Sequence, residues 1–492
     1  MSAVNEALIR DVIEEVMGRL GGSLNGGSTP KPAAAPSPAP GKCGCSHAGK
    51  HGVFETADEA CEAAASAFLQ LREKGVEARR KVVHIVKTMC EDNAQEWGRI
   101  ELEETKIGRL DHKIEKLQII KLVPGVEWLN PYAMSGDHGI TLEEYTPFGV
   151  IGAITPSTHS IPTLAGNVVN IVAAGNSVVF NAHPAASKCA AMAVREFNKA
   201  IEHETGIANL VCIIENPTLD SFSELCANEH IRLLCVTGGP AVVAAAMKTG
   251  KRAICAGPGN PPVLVDDTAC MDRAASCIIQ GGSYDNNLLC IGEKEVFVLE
   301  NTFTRFMSAM DRNGAVQLNS NQLDALTKAA FTIKEGEGGG CSHAVVNKNL
   351  IGKDAKVLAD AAGIKIPDGT QLLFAETGAD HPFVFEEQMM PFMPIIRVRG
   401  VEEGIEESKK AEHNYKHTSI IHSHNVNHMT AMARALDTTL FVKNGPCGAG
   451  LGLGGEGYLS FSIATPTGEG ITNPKTFTRV RRCVMVDNLR IY

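Results

Sequence analysis

The stretch GVIGAITPSTHSIPTLAGNVVNIVAAGNSVVFNA, residues 149–182, decides the fold. Its apolar first seven residues predict a buried strand. Leu164, Val168 and Ile171 then recur at helical spacing, a Gly-Asn turn follows, and SVVFNA predicts a second strand. A strand, a helix and a second strand in this order form a βαβ unit, in which the two strands lie parallel in one sheet.

The same alternation continues towards the C-terminus. A helix is predicted from Ser187 to near Gly206, and it is followed by the strands LVCIIE, IRLLCVT and RAICAG and the helix AVVAAAMKTG. Repeated βαβ units predict an α/β fold with a doubly wound, Rossmann-like parallel sheet, whose ligands bind beyond the carboxyl ends of the strands. The expected ligand loops are therefore TPSTHS, NAHP, TGGP and AGPGN. A second, mixed α/β region is predicted from about Val263 to Phe441.

Upstream of this unit, the folded body is predicted to begin near Phe54. Thr56 and Glu59 have the spacing of a capping box, and the Ala-rich helix that follows them is expected to end at Gly75.

Composition excludes several classes of protein. The chain has 492 residues, of which 44% are hydrophobic and 21% charged, and its net charge is −10 without any Lys/Arg-rich run. Nucleic-acid binding therefore has no electrostatic basis, and no apolar run approaches the roughly 20 residues that span a bilayer. The 15 cysteines are odd in number and scattered through apolar segments, which favours a reduced, cytoplasmic protein over a disulfide framework.

The N-terminus carries a short amphipathic helix and a flexible linker. Leu8, Val12, Val16 and Leu20 recur every four residues, and a Pro-, Ala- and Gly-rich segment follows. A helix this short is marginal alone in water, so we expect a docking peptide; the alternative is a frayed tail without a role.

The linker ends in residues of metal-ligating type. Cys43, Cys45, His47 and His51 stand close together in CGCSHAGKH. Their spacing fits no strong zinc pattern, so no metal is predicted here.

Three local motifs indicate chemistry only weakly when taken alone. Cys290 lies between a helical segment and the strand EKEVFVLE, where it is either a nucleophile or one small core residue among many. The Thr237-Gly238-Gly239 turn either faces a phosphate or simply reverses the chain, because it departs from G-x-G-x-x-G. The run GAGLGLGGEG has no Gly-Lys-Ser/Thr ending, which favours a backbone-packing loop over a P-loop.

The order of the motifs is more specific than any one of them. In sequence stand PFGVIGAITPSTHSIPT, AAGNSVVFNAHP, VTGGP, AGPGNPPVLVD, GGSYDNNLLCIGEK, EEQMMPFMPI, HTSIIHS and FVKNGP with its glycine-rich continuation. From Phe54 to Tyr492 this series resembles the aldehyde dehydrogenase superfamily, and within it the CoA-acylating enzymes of bacterial microcompartments, of the propionaldehyde type. The resemblance implies five segments: an encapsulation peptide (1–20), a flexible linker (21–52), an NAD(H)/CoA-binding domain (53–262), a catalytic domain (263–441), and a return to the nucleotide domain ending in an oligomerisation strand (442–492).

The resemblance also implies an activity and its partners. NAD would oxidise a short aldehyde, propionaldehyde or alternatively acetaldehyde, to a thioester on a cysteine, and CoA would release acyl-CoA. The reaction would take place in the lumen of a microcompartment in the cytoplasm. The N-terminal helix would bind a shell protein, and the C-terminal strand would build a homodimer or homotetramer. The competing interpretation is a hydrolytic aldehyde dehydrogenase that gives the free acid.

The implied site follows the family motifs. Cys290 and His159 match the catalytic positions. Cofactor contacts are carried over to Thr155, Pro156, Ser157, His183, Pro184, Thr237, Gly238, Gly239, Val242, Ala256, Gly257 and Glu387. Ala256 stands where hydrolytic members have a glutamate that activates water, which favours acyl transfer to a thiol. His183 replaces a lysine that helps to hold a 2′-phosphate, which favours NAD over NADP.

Three assignments leave alternatives open. His159 replaces the asparagine of a T-N-P motif, and it either donates to the oxyanion or shapes the substrate pocket. Glu387 is either the cofactor-ribose glutamate or a surface carboxylate. The histidines between residues 413 and 428 are expected to be structural or cleft-lining rather than metal ligands, with His417 facing the site: His413, His417, His422, His424 and His428.

Overall fold

The computed structural model describes residues 50–334 and 343–489. The predicted encapsulation helix, almost all of the linker, and Cys43, Cys45 and His47 lie outside these residues. Within this part of the chain, no helix is both long and apolar enough to cross a membrane.

Strands are numbered along the chain. The first ten are β1 (Val53–Phe54), β2 (Tyr132–Gly136), β3 (Gly139–Pro147), β4 (Val150–Thr155), β5 (Ser177–Ala182), β6 (Val211–Ile214), β7 (Ile231–Thr237), β8 (Arg252–Ala256), β9 (Pro262–Val265) and β10 (Glu295–Leu299). The next ten are β11 (Val316–Gln317), β12 (Phe331–Lys334), β13 (His343–Val346), β14 (Leu373–Thr377), β15 (Phe392–Val398), β16 (Thr418–His422), β17 (Leu440–Lys443), β18 (Ile463–Ala464), β19 (Gly470–Ile471) and β20 (Thr478–Val486).

Helices connect these strands. The first seven are α1 (Ala57–Asp92), α2 (Ala94–Thr105), α3 (Leu110–Gln118), α4 (Ser160–Ala173), α5 (Ser187–Thr205), α6 (Leu219–Ala227) and α7 (Pro240–Met247). The next seven are α8 (Met271–Ser283), α9 (Phe303–Arg312), α10 (Ser320–Ala330), α11 (Ala355–Ala361), α12 (Pro382–Phe385), α13 (Val401–Ala411) and α14 (Val426–Leu436).

Two parallel sheets organise the molecule. The first has the order β1-β6-β5-β4-β7-β8, and the second has the order β11-β14-β15-β10-β9-β16-β17. Both faces of the first sheet are covered, since Ile151 and Ala153 pack into one buried cluster and Val150 and Ile154 into another. The predicted α/β fold with a doubly wound sheet is confirmed.

A third sheet stands apart from these two. Its order is β2-β3-β20, its strands are antiparallel, and every residue of β2 is exposed. It pairs the end of the chain with a segment that precedes the first ligand loop. The division into functional domains stays a prediction, although the chain changes from the first sheet to the second between Ala256 and Pro262.

Local predictions were accurate where apolar periodicity was strong. Strand β5 covers the same six residues as the predicted SVVFNA, and α5 stops at Gly206, whose φ of +68° suits glycine. The predicted end of the first helix at Gly75 was only half right. Gly75 has a φ of +73° and interrupts the helix, but helical backbone resumes and continues to Asp92.

Candidate active site

A cavity of about 440 Å³ opens where the carboxyl ends of β4, β5, β7 and β8 face the segments before β10 and β15. Its wall includes all the predicted site residues except Ala256: Thr155, Pro156, Ser157, His159, His183, Pro184, Thr237, Gly238, Gly239, Val242, Gly257, Cys290 and Glu387. Loops more than 100 residues apart in sequence thus meet in one place, as the open α/β sheet predicts.

Cys290 lies on the cavity wall, half-buried, between the end of α8 and the start of β10. Burial raises the pKa of its thiol to about 12, and the nearby Glu387 carboxylate adds to this. The Lys294 ammonium and the backbone amides of Cys290 and Ile291 act in the opposite direction. The resting thiol is therefore protonated at neutral pH, and a thiolate here requires that the proton be removed.

The turn before Cys290 is held in an unusual backbone conformation. Asp285, Asn286 and Asn287 have φ values of +49°, +56° and +66°, a region that Asp and Asn tolerate better than other side chains. Lys294 fixes this turn from within the protein, because its buried Nζ donates to the Asn287 carbonyl oxygen at 2.7 Å. The position of the thiol is thus determined by a rigid turn.

Glu387 approaches Cys290 from the segment before β15. Burial raises the pKa of its carboxyl to about 7, against the opposing effects of Lys294 and the Gly259 backbone amide. Glu387 is therefore a cavity carboxylate, and the alternative of a surface residue was wrong. Of the described residues that line the cavity, it is the only carboxylic acid.

His159 is buried at the N-terminus of α4, and only 4% of its surface is exposed. Burial holds the pKa of its imidazole well below the usual range, and the ammonium groups of Lys116 and Lys113 add to this effect. A neutral imidazole offers one N–H donor and one acceptor. Its Nδ1 is buried and has no hydrogen-bond partner among the described residues, so the ring keeps unused hydrogen-bonding capacity.

His183, after the neighbouring strand β5, caps a short helical turn. Its Nδ1 accepts a hydrogen bond from the Ala185 backbone amide at 3.1 Å, which places the ring proton of the neutral form on Nε2. Burial lowers the pKa of this imidazole, so it offers a neutral donor in place of a cation.

The Thr237-Gly238-Gly239 turn leads directly into α7. A Cβ on Gly239 would meet no atom within 4 Å, so a ligand can approach this backbone closely. The Thr237 hydroxyl is already engaged, since it lies 2.7 Å from the Ser462 Oγ.

The last residue of β8 and the glycines that follow it lie close to the segment that carries Cys290. Ala256 is buried at the end of β8 and does not line the cavity, whereas Gly257 does. Gly259 lies against the reacting segment, because a Cβ there would be 2.4 Å from the Cys290 carbonyl oxygen and 3.0 Å from the His417 ring. The absence of a side chain at Gly259 therefore lets Cys290 and His417 approach each other.

The clustered histidines have different surroundings. His417 is buried, its Nδ1 lies 2.9 Å from the Thr418 hydroxyl, and burial lowers its pKa to about 4. It contacts Gly259 but does not line the cavity. His417 was predicted to face the site, and the structure instead places it behind the cavity wall. Asp266, Asp267 and His428 bring their ligand-type atoms within 4.8 Å of one another, away from the cavity.

Sequence reasoning missed one wall of the cavity. Residues around the start of α6 and two residues near Cys290 and Glu387 also line it: Pro217, Thr218, Leu219, Phe222, Leu288 and Met389. Helix α6 was not predicted, and its one local signal was the Thr218-x-x-Ser221 spacing, which forms a capping box in the structure.

Comparison with known proteins agrees with this geometry. The sequence profile of the aldehyde dehydrogenase family matches residues 35–455. This chain belongs to the aldehyde dehydrogenase family. An acetaldehyde dehydrogenase (acetylating), EutE, of Salmonella typhimurium is 44% identical over 442 residues, which cover 89% of this chain and 93% of the relative.

Solved structures of other aldehyde dehydrogenases have the same fold. A propionaldehyde dehydrogenase of Rhodopseudomonas palustris, with bound CoA and an acylated cysteine, is 41% identical, with a TM-score of 0.86 over 90% of this chain and 100% of its own. One from the fucose utilisation microcompartment of Clostridium phytofermentans is also 41% identical, with a TM-score of 0.85 over 90% and 100%. The resemblance inferred from the ordered motifs is confirmed.

Proposed function

We propose that this chain is an NAD-dependent, CoA-acylating aldehyde dehydrogenase for short aldehydes. The observation that carries the proposal is the Cys290 thiol, the one thiol among the described residues that line the cavity, on a wall where the strand before Gly257 ends in Ala256 and not in a carboxylate. Without a carboxylate at Ala256, water near the thioester lacks a dedicated base, so the acyl group persists until a thiol attacks.

The residues divide the chemistry between them. The Cys290 thiolate adds to the aldehyde carbonyl and forms a thiohemiacetal. The oxyanion receives a hydrogen bond from His159 and from the Cys290 backbone amide. NAD bound in the cavity would supply the hydride acceptor, so that the thiohemiacetal would be oxidised to a thioester on Cys290 with release of one proton. The CoA thiolate then attacks the thioester, and the cysteine leaves as acyl-CoA forms.

The cofactor side of the cavity fits a dinucleotide without a 2′-phosphate. Open backbone at Gly239 suits a pyrophosphate, Glu387 suits ribose hydroxyls, and the His183 Nε2–H is a neutral donor where a lysine would supply positive charge. We therefore assign NAD, with CoA entering the same cavity as co-substrate.

A second, smaller cavity supports a short aldehyde. About 50 Å³ of space lies behind the reacting loop, lined by Leu289 and Ile291 on either side of Cys290 and closed by Leu459 and Phe461. A space this small favours a short aldehyde, and we assign propionaldehyde first and acetaldehyde as the alternative. A series of straight-chain aldehydes should show kcat/KM falling beyond the three-carbon member.

The surroundings of the enzyme are also proposed. We assign residues 1–20 to a shell-binding peptide that brings the enzyme into a microcompartment lumen in the cytoplasm. There the enzyme would consume a reactive aldehyde where that aldehyde is made. Exposed apolar side chains on β20, among them Val480 and Val484, support a homodimer or homotetramer built through the antiparallel sheet.

One assay tests the central proposal. Purified enzyme is given NAD and propionaldehyde, with CoA present or omitted, and NADH, acyl-CoA and free acid are measured. Acyl-CoA should form in step with NADH, and omitting CoA should stop turnover after one thioester per site. Free acid produced at the same rate without CoA would instead identify the hydrolytic enzyme, with Glu387 as the base.

A further inference from the structure

Four buried charged side chains lie behind the two loops that carry His159 and Cys290. We call them the α3 clamp: Glu101, Lys113, Lys116 and Asp285. Their exposed fractions are 1%, 1%, 0% and 0%. Burying four charges is costly unless each is paired and hydrogen-bonded. Both lysines come from α3, one helical turn apart, so a single short helix reaches both loops.

The first ion pair holds the backbone on both sides of His159. Lys113 Nζ donates to Glu101 Oε1 at 2.9 Å and to the Thr158 carbonyl oxygen at 3.3 Å. The same carboxylate accepts hydrogen bonds from the backbone amides of Ser160 at 3.3 Å and Ile161 at 3.0 Å. A carboxylate at the N-terminus of α4 is also favoured by the helix dipole.

The second ion pair holds the turn before Cys290. Lys116 Nζ donates to Asp285 Oδ2, and Asp285 Oδ1 accepts from the Arg109 backbone amide at 2.7 Å. The Asp285 backbone amide in turn donates to His112 Nδ1 at 2.8 Å. Asp285 begins the run of three left-handed residues that leads to the thiol. Its pairing with α3 therefore fixes the direction in which that turn leaves α8.

We propose that the α3 clamp sets the position of His159 relative to Cys290, and that Lys113 and Lys116 are positioning residues for oxyanion stabilisation. The inference rests on the role proposed above for His159. Its physical basis is that oxyanion donors must be held within roughly 0.5 Å of the productive geometry, which loops achieve only when their neighbours are locked. Here Thr158 and Ser160, the neighbours of His159, are bonded to the clamp, and the clamp member Asp285 begins the turn that leads to Cys290.

The test removes one ion pair without leaving an unpaired charge. The paired variant Glu101→Gln with Lys113→Met is compared with Arg99→Met with Glu103→Gln, an exposed ion pair on the same helix α2. We expect kcat for acyl-CoA formation to fall about 10²-fold in the first, with KM for NAD and CoA within about twofold, and no change in the second. Alkylation of Cys290 by iodoacetamide forms no oxyanion, so its rate should stay within about twofold of wild type.

A double-mutant cycle separates positioning from general stability. In a His159→Ala background the clamp variant should cost less than about threefold in kcat, because the Glu101–Lys113 pair then has no imidazole donor to position. A full 10²-fold loss in that background, or alkylation slowed in parallel with turnover, would overturn the inference. A kcat close to that of wild type in the single variant Lys113→Arg, which keeps the charge, would support the inference. Failure of the proposed function itself is distinguishable, since wild-type enzyme would then form no acyl-CoA.

Discussion

The two walls of the active-site cavity are built differently. The wall from the first sheet consists of strand ends and turns such as Thr155, Pro156, Gly238 and Gly239, and its described lining residues include no carboxylate or ammonium group. Behind the opposite wall stand Glu293, Lys294 and Glu295, all with no exposed surface. The first wall can bind a ligand through backbone and shape, whereas the second can change the protonation of a thiol.

The contrast explains where perturbed pKa values occur. Burial raises the pKa of Glu293 and of Glu387 to about 7 and lowers the pKa of Lys294. Groups with pKa values shifted in this way are common at active sites. The burial that shifts them costs stability, but it also brings their protonation equilibria close to neutral pH. The thiol and the carboxyl groups whose pKa values are raised thus belong to the second wall, while the first wall contributes His159 and most of the assigned cofactor contacts.

The largest effect is expected from the thiol itself. Cys290→Ala should reduce NADH formation by about 10³-fold or more, because no covalent intermediate can form. The control is Cys277→Ala, a half-buried thiol outside the cavity, which should keep wild-type rates. Retained acyl-CoA production by Cys290→Ala would refute the assignment of the nucleophile.

His159 lies on the first wall and is the proposed donor to the oxyanion. Loss of its donor in His159→Ala should lower kcat by about 10²-fold, the cost of one oxyanion donor. His159→Asn restores the residue found in related motifs and should remain within about tenfold of wild type, since an amide N–H can donate from the same place. If both variants keep full activity, His159 shapes the substrate pocket and does not act as a donor.

Contact between the two walls can be disturbed at Gly259. The new methyl group in Gly259→Ala would lie 2.4 Å from the Cys290 carbonyl oxygen, so the reacting segment must move. We expect kcat to fall about tenfold, since small displacements of reacting groups are costly. Gly166→Ala is the matched control, because its Cβ would meet only the Val123 methyl at 3.9 Å. Steady-state rates and melting temperatures of the two variants provide the comparison.

Glu387 should have opposite effects on two reactions. Its carboxylate raises the pKa of the Cys290 thiol, so Glu387→Gln should lower that pKa and speed alkylation by iodoacetamide at pH 8 about threefold. The same change should slow NADH formation, because a ribose contact is lost. In wild type, the alkylation rate should climb with pH through pH 9, since the thiol pKa is about 12. Slower alkylation in the variant would contradict the electrostatic argument.

The smallest effect concerns stability. Burial raises the pKa of Glu293 from 4.5 to about 7, so unfolding releases protons between these values and stability falls as pH rises through that window. Glu293→Gln keeps the acceptor for the Cys447 amide, bonded at 2.9 Å, but cannot ionise. The melting temperature of wild type should therefore drop by a few degrees more than that of the variant between pH 5 and pH 7.5.

Particular residues show how far the sequence could lead. Strand β5 and α5 were predicted almost to the residue, because apolar periodicity and Gly206 define them locally. Cys290 was ambiguous by itself and became a candidate nucleophile through the order of the surrounding motifs. Lys113 and Lys116 gave no signal, since lysines on a short helix are normally solvated and only packing showed them to be buried.

The sequence by itself determined the class of fold and the family, because strand and helix patterns and motif order are local properties of the chain, and it made Cys290, His159 and Glu387 the candidate site residues. Tertiary structure decided that Glu387 is a cavity residue, that Ala256 stays behind the wall, and that α3 reaches both catalytic loops. These facts depend on which distant segments come together and exclude water. Burial then sets both the charge of each group and the positions it can hold.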